Sequence, residues 1–117
     1  MNILYGIKNC DTVKKARIWL DNNNINYKFH DFRSHGLNEN QISEWISELG
    51  LDTLVNKRST TWKELDEATK NHFDKNTATK IIAANPTLIK RPLLDTGAKK
   101  IVGFKDTEYA NFLLICK

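Results

Sequence analysis

Residues 5–16 read Tyr5-Gly6-Ile7-Lys8-Asn9-Cys10-Asp11-Thr12-Val13-Lys14-Lys15-Ala16. A short apolar strand runs into a turn that carries one cysteine, and a helix follows directly. Unpaired backbone N–H groups and the positive end of the helix dipole lie at a helix N-terminus, and both favour a thiolate over a thiol. Cys10 is therefore a candidate nucleophile, although the pattern alone also fits a small buried residue.

This stretch lies in a strand–helix–strand unit. Asn2 to Tyr5 predict the first strand, and Asp11 is the predicted N-cap of a helix whose apolar face carries Val13, Ala16, Trp19 and Leu20. Apolar side chains then alternate with polar ones from residue 25 to residue 30, which predicts a second, half-buried strand. A βαβ order predicts a parallel pair and puts the Cys10 turn at the carboxyl end of the first strand, where open α/β sheets bind ligands.

The middle of the chain is predicted to be helical. Asn38 is placed to cap a helix that carries an apolar face at i, i+3, i+4 and i+7, and Gly50 is placed to end it. Thr61 and Glu64 have capping-box spacing, which predicts a short helix from Trp62. Two more short helices are predicted, over 66–73 and 77–84.

The last part returns to sheet. Residues 88–95 and 99–104 flank a Gly-containing turn and predict an antiparallel hairpin. Asp106 or Thr107 opens a final helix whose apolar stripe includes Cys116, so we interpret this second cysteine as a packing residue.

Composition narrows the classes of function. The chain has 117 residues, of which 40% are hydrophobic, and this fits one domain with an ordinary core. The net charge of +4 arises from cations scattered among 14 acids, which disfavours direct nucleic-acid binding and permits a small anionic substrate. No apolar run approaches the length of a membrane span, and no targeting segment is evident at the start. Two distant cysteines and three histidines without ligand spacing (His30, His35 and His72) predict neither a disulfide framework nor a metal site, and favour a reducing cytoplasm.

The predicted order is βαβ, a helical insertion and ββα, around a mixed four-stranded sheet. Three motifs carry a resemblance: Tyr-Gly-Ile-x-x-Cys-Asp-Thr at 5–12, Asn-Lys-Arg at 56–58 and Leu-Ile-Lys-Arg-Pro-Leu at 88–93. On these motifs the chain resembles the family that joins the glutaredoxin-coupled arsenate reductases (ArsC), the Spx transcriptional regulators and the YffB-like proteins, the last most of all. The resemblance implies a bacterial α/β protein of thioredoxin-like (glutaredoxin-like) fold, forming one domain over 1–117 with its core in 1–35 and 86–117 and an insertion at 36–85.

The resemblance also implies site residues. Cys10 matches the nucleophile of the family, Arg91 matches an arginine that lines an anion site beside it, and Pro92 matches a proline that follows a cis peptide bond. Arg58 lies near the position of another arginine of the reductases' anion site. Lys8 and Asn9, in the turn before Cys10, are further candidates for binding the substrate anion.

The departures from the family pattern also carry information. Spx proteins have a second cysteine three positions after the first, where this chain has Val13, so the chemistry is expected to use one thiol. The reductases have an additional arginine in the region that here reads Lys99-Lys100-Ile101-Val102-Gly103-Phe104. Lysine supplies charge but not the planar fork that grips an oxyanion at two points, which puts arsenate as the physiological substrate in doubt.

We therefore expect a monothiol, glutathione-dependent thiol-disulfide oxidoreductase related to arsenate reductase. Glutathione would be the co-substrate, no cofactor would be tightly bound, and another small thiol or glutaredoxin is a further candidate partner. The alternative is a non-catalytic, Spx-like regulator that docks on RNA polymerase. A third possibility is a protein that binds glutathione but turns over slowly.

Overall fold

The first strand is apolar and mostly buried, and it lies between two other strands of the sheet. The computed structural model describes residues 2–114, except for the side chain of residue 114. The strands are β1 (Ile3–Gly6), β2 (Lys28–Asp31), β3 (Leu93–Asp95) and β4 (Lys100–Val102). The helices are α1 (Asp11–Asn22), α2 (Phe32–His35), α3 (Glu39–Leu49), α4 (Leu51–Leu54), α5 (Thr60–Glu64), α6 (Glu67–Asn71), α7 (Ala78–Ala84) and α8 (Asp106–Leu114), with a 3-10 turn at Pro86–Leu88.

The four strands form one mixed sheet in the order β2-β1-β3-β4. β1 pairs in parallel with β2, whereas β3 runs antiparallel to both β1 and β4. This arrangement confirms the predicted βαβ and ββα units and the mixed four-stranded sheet of a thioredoxin-like fold. The second strand begins only at Lys28, so the alternation that starts at Ile25 lies partly outside the paired residues.

The chain folds into two compact units. The first consists of Met1–Asp31 with Arg91–Lys117, and the second of Phe32–Lys90. The predicted single domain, with an insertion at 36–85, stays a prediction. Between residues 2 and 114, no helix is long and apolar enough to cross a membrane.

The first unit contains the sheet and packs α1 and α8 around it. The core cluster comprises Leu4, Ala16, Leu20, Leu94 and Tyr109, all of which are fully buried. Arg17 of α1 reaches across β2, because its Nε donates to the Tyr27 hydroxyl at 3.2 Å and its guanidinium lies 4.3 Å from the centre of the Phe29 ring. The predicted apolar face of α1 is thus the face that packs on the sheet.

The second unit is helical, as predicted. Asn38 caps α3 by accepting the Gln41 N–H at 2.7 Å, and Gly50 ends it with a φ of 85°. Residues 54–56 are joined to residues 88–90 by backbone hydrogen bonds, in which the amides of residues 56 and 90 donate to the carbonyls of residues 88 and 54, each at 2.8 Å.

The predicted capping box of the next helix is wrong. α5 begins at Thr60, and its N-cap is Ser59, whose hydroxyl accepts the Trp62 N–H at 3.1 Å. The hydroxyl of Thr61, the predicted cap, instead forms a hydrogen bond with the Thr87 hydroxyl, at 2.6 Å between the two oxygens. The helix therefore starts two residues earlier than predicted. Ser59 and Thr61 are both common capping residues, and the sequence alone does not distinguish between them.

Tyr109 carries a buried hydroxyl. Its side chain is fully buried, and no hydrogen-bond partner for this hydroxyl is found within residues 2–114. Its ring forms edge contacts with Trp19 and Phe104, at centroid distances of 5.8 and 4.8 Å. Burial, with a smaller effect of the neighbouring Glu108, raises the pKa of this phenol well above its ordinary value.

We expect Tyr109→Phe to raise the free energy of unfolding by about 1 kcal/mol, because it removes a buried hydroxyl that has no hydrogen-bond partner among residues 2–114. The raised pKa means that the folded protein keeps a proton that the unfolded chain releases above about pH 10. The wild type should therefore lose stability relative to the variant as the pH rises above that value. Urea unfolding of both proteins at neutral and alkaline pH measures this, and a less stable Phe variant at neutral pH would contradict it.

Candidate active site

Strand register brings two predicted parts of the site to one edge of the sheet. β1 ends at Gly6, and four residues later the chain reaches Cys10. β3 runs in the opposite direction and begins at Leu93, which pairs with Tyr5 near the end of β1. The turn before Cys10 and the Arg91–Pro92 segment therefore lie at the same edge of the sheet, the one at which β1 ends and β3 begins. Both belong to the first unit.

Cys10 is the N-cap of α1. Its backbone is extended, with φ of −107° and ψ of 122°, and its carbonyl accepts the Lys14 N–H at 3.0 Å. The prediction that Asp11 caps this helix is wrong by one residue, because Asp11 already lies in the first helical turn. Cys10 is a free cysteine, and its side chain is half-buried and makes no capping hydrogen bond. The sulfur thus lies at the N-terminus of a helix of 12 residues.

A close backbone approach fixes the start of this helix. An ideal Cβ built on Gly6 would lie only 2.8 Å from Cγ2 of Val13 and 3.2 Å from its Cγ1. Val13 is fully buried, so its side chain packs directly on the backbone at the end of β1. Sequence reasoning placed Val13 on the core face but missed Gly6 as its packing partner, and a glycine that ends an apolar strand was the available signal.

The Arg91–Pro92 peptide bond is cis, as the resemblance implied. Pro92 is buried, and its carbonyl accepts the Gly103 N–H at 2.8 Å, just after β4 ends. Arg91 is half-buried. Gly103 was not predicted as a site residue, and its φ of 80° is a conformation that glycine adopts without strain.

The remaining predicted anion-binding residues are exposed. Lys8 and Asn9 form the turn between β1 and Cys10, and both are exposed. Arg58 belongs to the second unit, where its backbone N–H donates to Oδ1 of Asn56 at 3.0 Å and its side chain is exposed. The roles of all three in anion binding stay predictions.

Two cavities of the described chain lie away from this site. Two surface cavities of about 230 and 390 Å³ both border Asn2 and so lie at the start of β1, at the other edge of the sheet. Residues 2–114 contain no cluster of three or more His, Cys, Asp or Glu side chains placed to bind a metal. The second cysteine, Cys116, lies outside the described residues, and its predicted packing role stays a prediction.

The fold and the site define a class: a thioredoxin-like α/β protein with a cysteine at the N-terminus of its first helix and a cis-proline at the same edge of the sheet. A model of the ArsC family matches residues 5–112. The chain belongs to the ArsC family.

Individual relatives agree with this assignment. An uncharacterised protein of Haemophilus influenzae is 53% identical over 109 residues, which cover 93% of this chain and 96% of that protein. A solved structure of a YFFB protein is 44% identical, covers 94% of this chain and 96% of its own, and superposes with a TM-score of 0.90. The global transcriptional regulator Spx of Listeria monocytogenes is 30% identical over 115 residues, covering 97% of this chain and 87% of the regulator. The predicted resemblance to YffB-like and Spx proteins is confirmed.

We expect Gly6→Ala to lower the free energy of unfolding by about 1–3 kcal/mol, because the added methyl overpacks against Val13. The double variant Gly6→Ala/Val13→Ala should be more stable than the sum of the two single losses by about 1 kcal/mol, since the smaller side chain at 13 makes room for the new methyl. Urea unfolding of the four proteins completes the cycle. Strict additivity would show that the two positions are not coupled and would refute the packing argument.

Proposed function

We propose that this protein is a monothiol, glutathione-dependent thiol-disulfide oxidoreductase with Cys10 as its nucleophile. Membership of the ArsC family supports a thiol oxidoreductase-like role. The observation that carries the finer proposal is the position of Cys10 as the N-cap of α1, at the sheet edge where the cis Arg91–Pro92 segment also lies.

The reaction would proceed in two exchanges. The Cys10 thiolate attacks the glutathione sulfur of a mixed disulfide, forming a Cys10–glutathione disulfide and releasing the substrate thiolate, which takes up a proton. A second glutathione thiolate then attacks the glutathione sulfur of this adduct, regenerating Cys10 and forming oxidised glutathione. In sum, one mixed disulfide is reduced and two glutathione units leave as a disulfide. No second protein thiol is needed, which fits Val13 at the position where dithiol relatives carry a cysteine.

Two features would favour the first exchange. The first N–H groups of α1 have no intrahelical partner and lie at the helix end that stabilises negative charge, so a thiolate at the N-cap is favoured there. A guanidinium at Arg91, with contributions from Arg58, Lys8 and Asn9, would bind a carboxylate of glutathione through charge-assisted hydrogen bonds.

Reactivity of Cys10 tests the nucleophile. In a Cys116→Ser variant, we expect iodoacetamide to alkylate folded Cys10 at neutral pH on the order of tenfold faster than the same cysteine in urea-unfolded chain, because the folded helix end favours the thiolate. Oxidised glutathione should give one adduct by intact mass, and reduction of a small mixed disulfide should be retained in Cys116→Ser and lost in Cys10→Ser. Equal or slower alkylation in the folded protein would remove the argument for activation.

Removing the positive charge of Arg91 by substitution tests the proposed anion site. We expect Arg91→Gln to raise KM for glutathione by roughly 10- to 100-fold with a smaller change in kcat, since the loss of a charged hydrogen bond weakens binding. The same measurement on Arg58→Gln decides the role of Arg58. Lys28→Gln is a matched control, because Lys28 is an exposed cation at the start of β2, at the opposite edge of the sheet. An unchanged KM in Arg91→Gln would contradict an anion-binding role.

A second candidate function is that of an Spx-like regulator, favoured by the 30% identity to Spx over 97% of this chain. In that case Cys10 would be a sensor or a relic, and the partner would be RNA polymerase. Absence of both adduct and turnover, with retention of purified RNA polymerase on the immobilised protein, would favour the regulator. A glutathione adduct without appreciable turnover would favour a protein that binds glutathione but releases it slowly.

A further inference from the structure

A carboxylate lies next to the candidate nucleophile. Asp11 directly follows Cys10, so their α-carbons are about 3.8 Å apart. Asp11 is exposed and lies in the first turn of α1. Within the described chain, its carboxylate forms no hydrogen bond or ion pair. Because adjacent side chains are separated by only a few ångströms more than their α-carbons, the Asp11 charge can act electrostatically on a ligand at the sulfur.

Three exposed lysines lie within five residues of Cys10 in the sequence. Lys8 precedes Cys10 by two residues, and Lys14 and Lys15 follow Asp11 by three and four residues on α1. All three are exposed, and within residues 2–114 none of their ammonium groups pairs with an acid. The i to i+3 and i to i+4 spacings would allow Asp11 to pair with Lys14 or Lys15, yet neither pair forms. Exposed charges of both signs therefore lie within a few residues of Cys10.

We propose that Asp11 is a specificity-determining residue that selects a zwitterionic thiol, with an ammonium as well as a carboxylate, over a purely anionic substrate. This inference rests on the proposed function of Cys10. An ammonium on the ligand would pair with Asp11, while its carboxylates pair with the cations. A dianion such as arsenate would be attracted by the cations but repelled by Asp11 at the point of attack. The repulsion scales with the charge of the ligand, so it acts most strongly on multiply charged oxyanions.

A carboxylate in the first turn of a helix also stabilises that helix through the dipole. That structural role predicts a change in stability when the charge is removed, but no dependence on the charge of a reagent that attacks Cys10. The two roles are therefore separated by comparing reagents of opposite charge on the same sulfur.

The test uses the Cys116→Ser protein and two methanethiosulfonates of similar size, one carrying a sulfonate and the other a trimethylammonium group. Both react with the same thiolate, so the ratio of their rates does not depend on the fraction ionised. We expect Asp11→Asn to raise the ratio of anionic to cationic rates by about 3- to 10-fold at low salt, and by less at high salt. Asp21→Asn is the matched control, because the same charge is removed near the other end of α1, about 15 Å along the axis.

A second measurement addresses the ammonium directly. The preformed Cys10–glutathione adduct is released by glutathione or by glutaryl-cysteinylglycine, which lacks the amino group. We expect the parent protein to prefer glutathione by about 3- to 10-fold and Asp11→Asn to lose this preference, since the carboxylate partner is gone.

An unchanged reagent ratio in Asp11→Asn, or an equal shift in Asp21→Asn, would overturn the inference, as would a glutathione preference that survives in Asp11→Asn. Failure of the proposed function is a different result: the parent Cys10 would then react no faster in the folded than in the unfolded protein. If Cys10 is reactive but its charge selectivity does not depend on Asp11, the proposed oxidoreductase function stands and only the role of Asp11 is refuted.

Discussion

The contact between the Gly6 backbone and the Val13 side chain is the constraint on which the candidate site depends. A hydrogen in place of a Cβ lets the first turn of α1 lie directly on the end of β1. Because only three residues separate Gly6 from Cys10, this packing limits where the N-cap can lie. The β-branched side chain of Val13 has few rotamers, so it holds this distance firmly.

The Arg91–Pro92 segment is also positioned by backbone contacts. β3 begins immediately after the cis Arg91–Pro92 bond, and the Pro92 carbonyl is bonded to the Gly103 amide beyond β4. The antiparallel register of β3 with β1 then brings this segment to the edge where α1 starts. Backbone pairing and burial thus set the relation between the Cys10 turn and the cis-proline. Lys8, Asp11 and Arg91 lie on the segments that this backbone arrangement positions.

Periodicity predicted the elements more reliably than their ends. The face of α3 with its Asn38 cap and Gly50 end was predicted correctly, because a cap, an apolar stripe and a terminal glycine agree. The start of α5 was predicted two residues late, since Ser59 and Thr61 are both good caps and only the pairing of the Thr61 and Thr87 hydroxyls decides between them. Cys10 itself was placed just before the helix rather than at its N-cap, because an aspartate is the commoner capping residue.

By itself, the sequence determined the order of strands and helices, the parallel and antiparallel pairings, the family, and Cys10, Arg91 and Pro92 as the residues to examine. These follow from local patterns and from motifs that are contiguous in the chain. Only the tertiary structure revealed that Gly6 must lack a Cβ, that Gly103 binds the Pro92 carbonyl, that the Tyr109 hydroxyl is buried, and that the Asp11 carboxylate stays unpaired among the described residues. Each of these depends on distances between residues that are not neighbours in sequence, or on the failure of a possible pair to form, and periodicity alone gives neither.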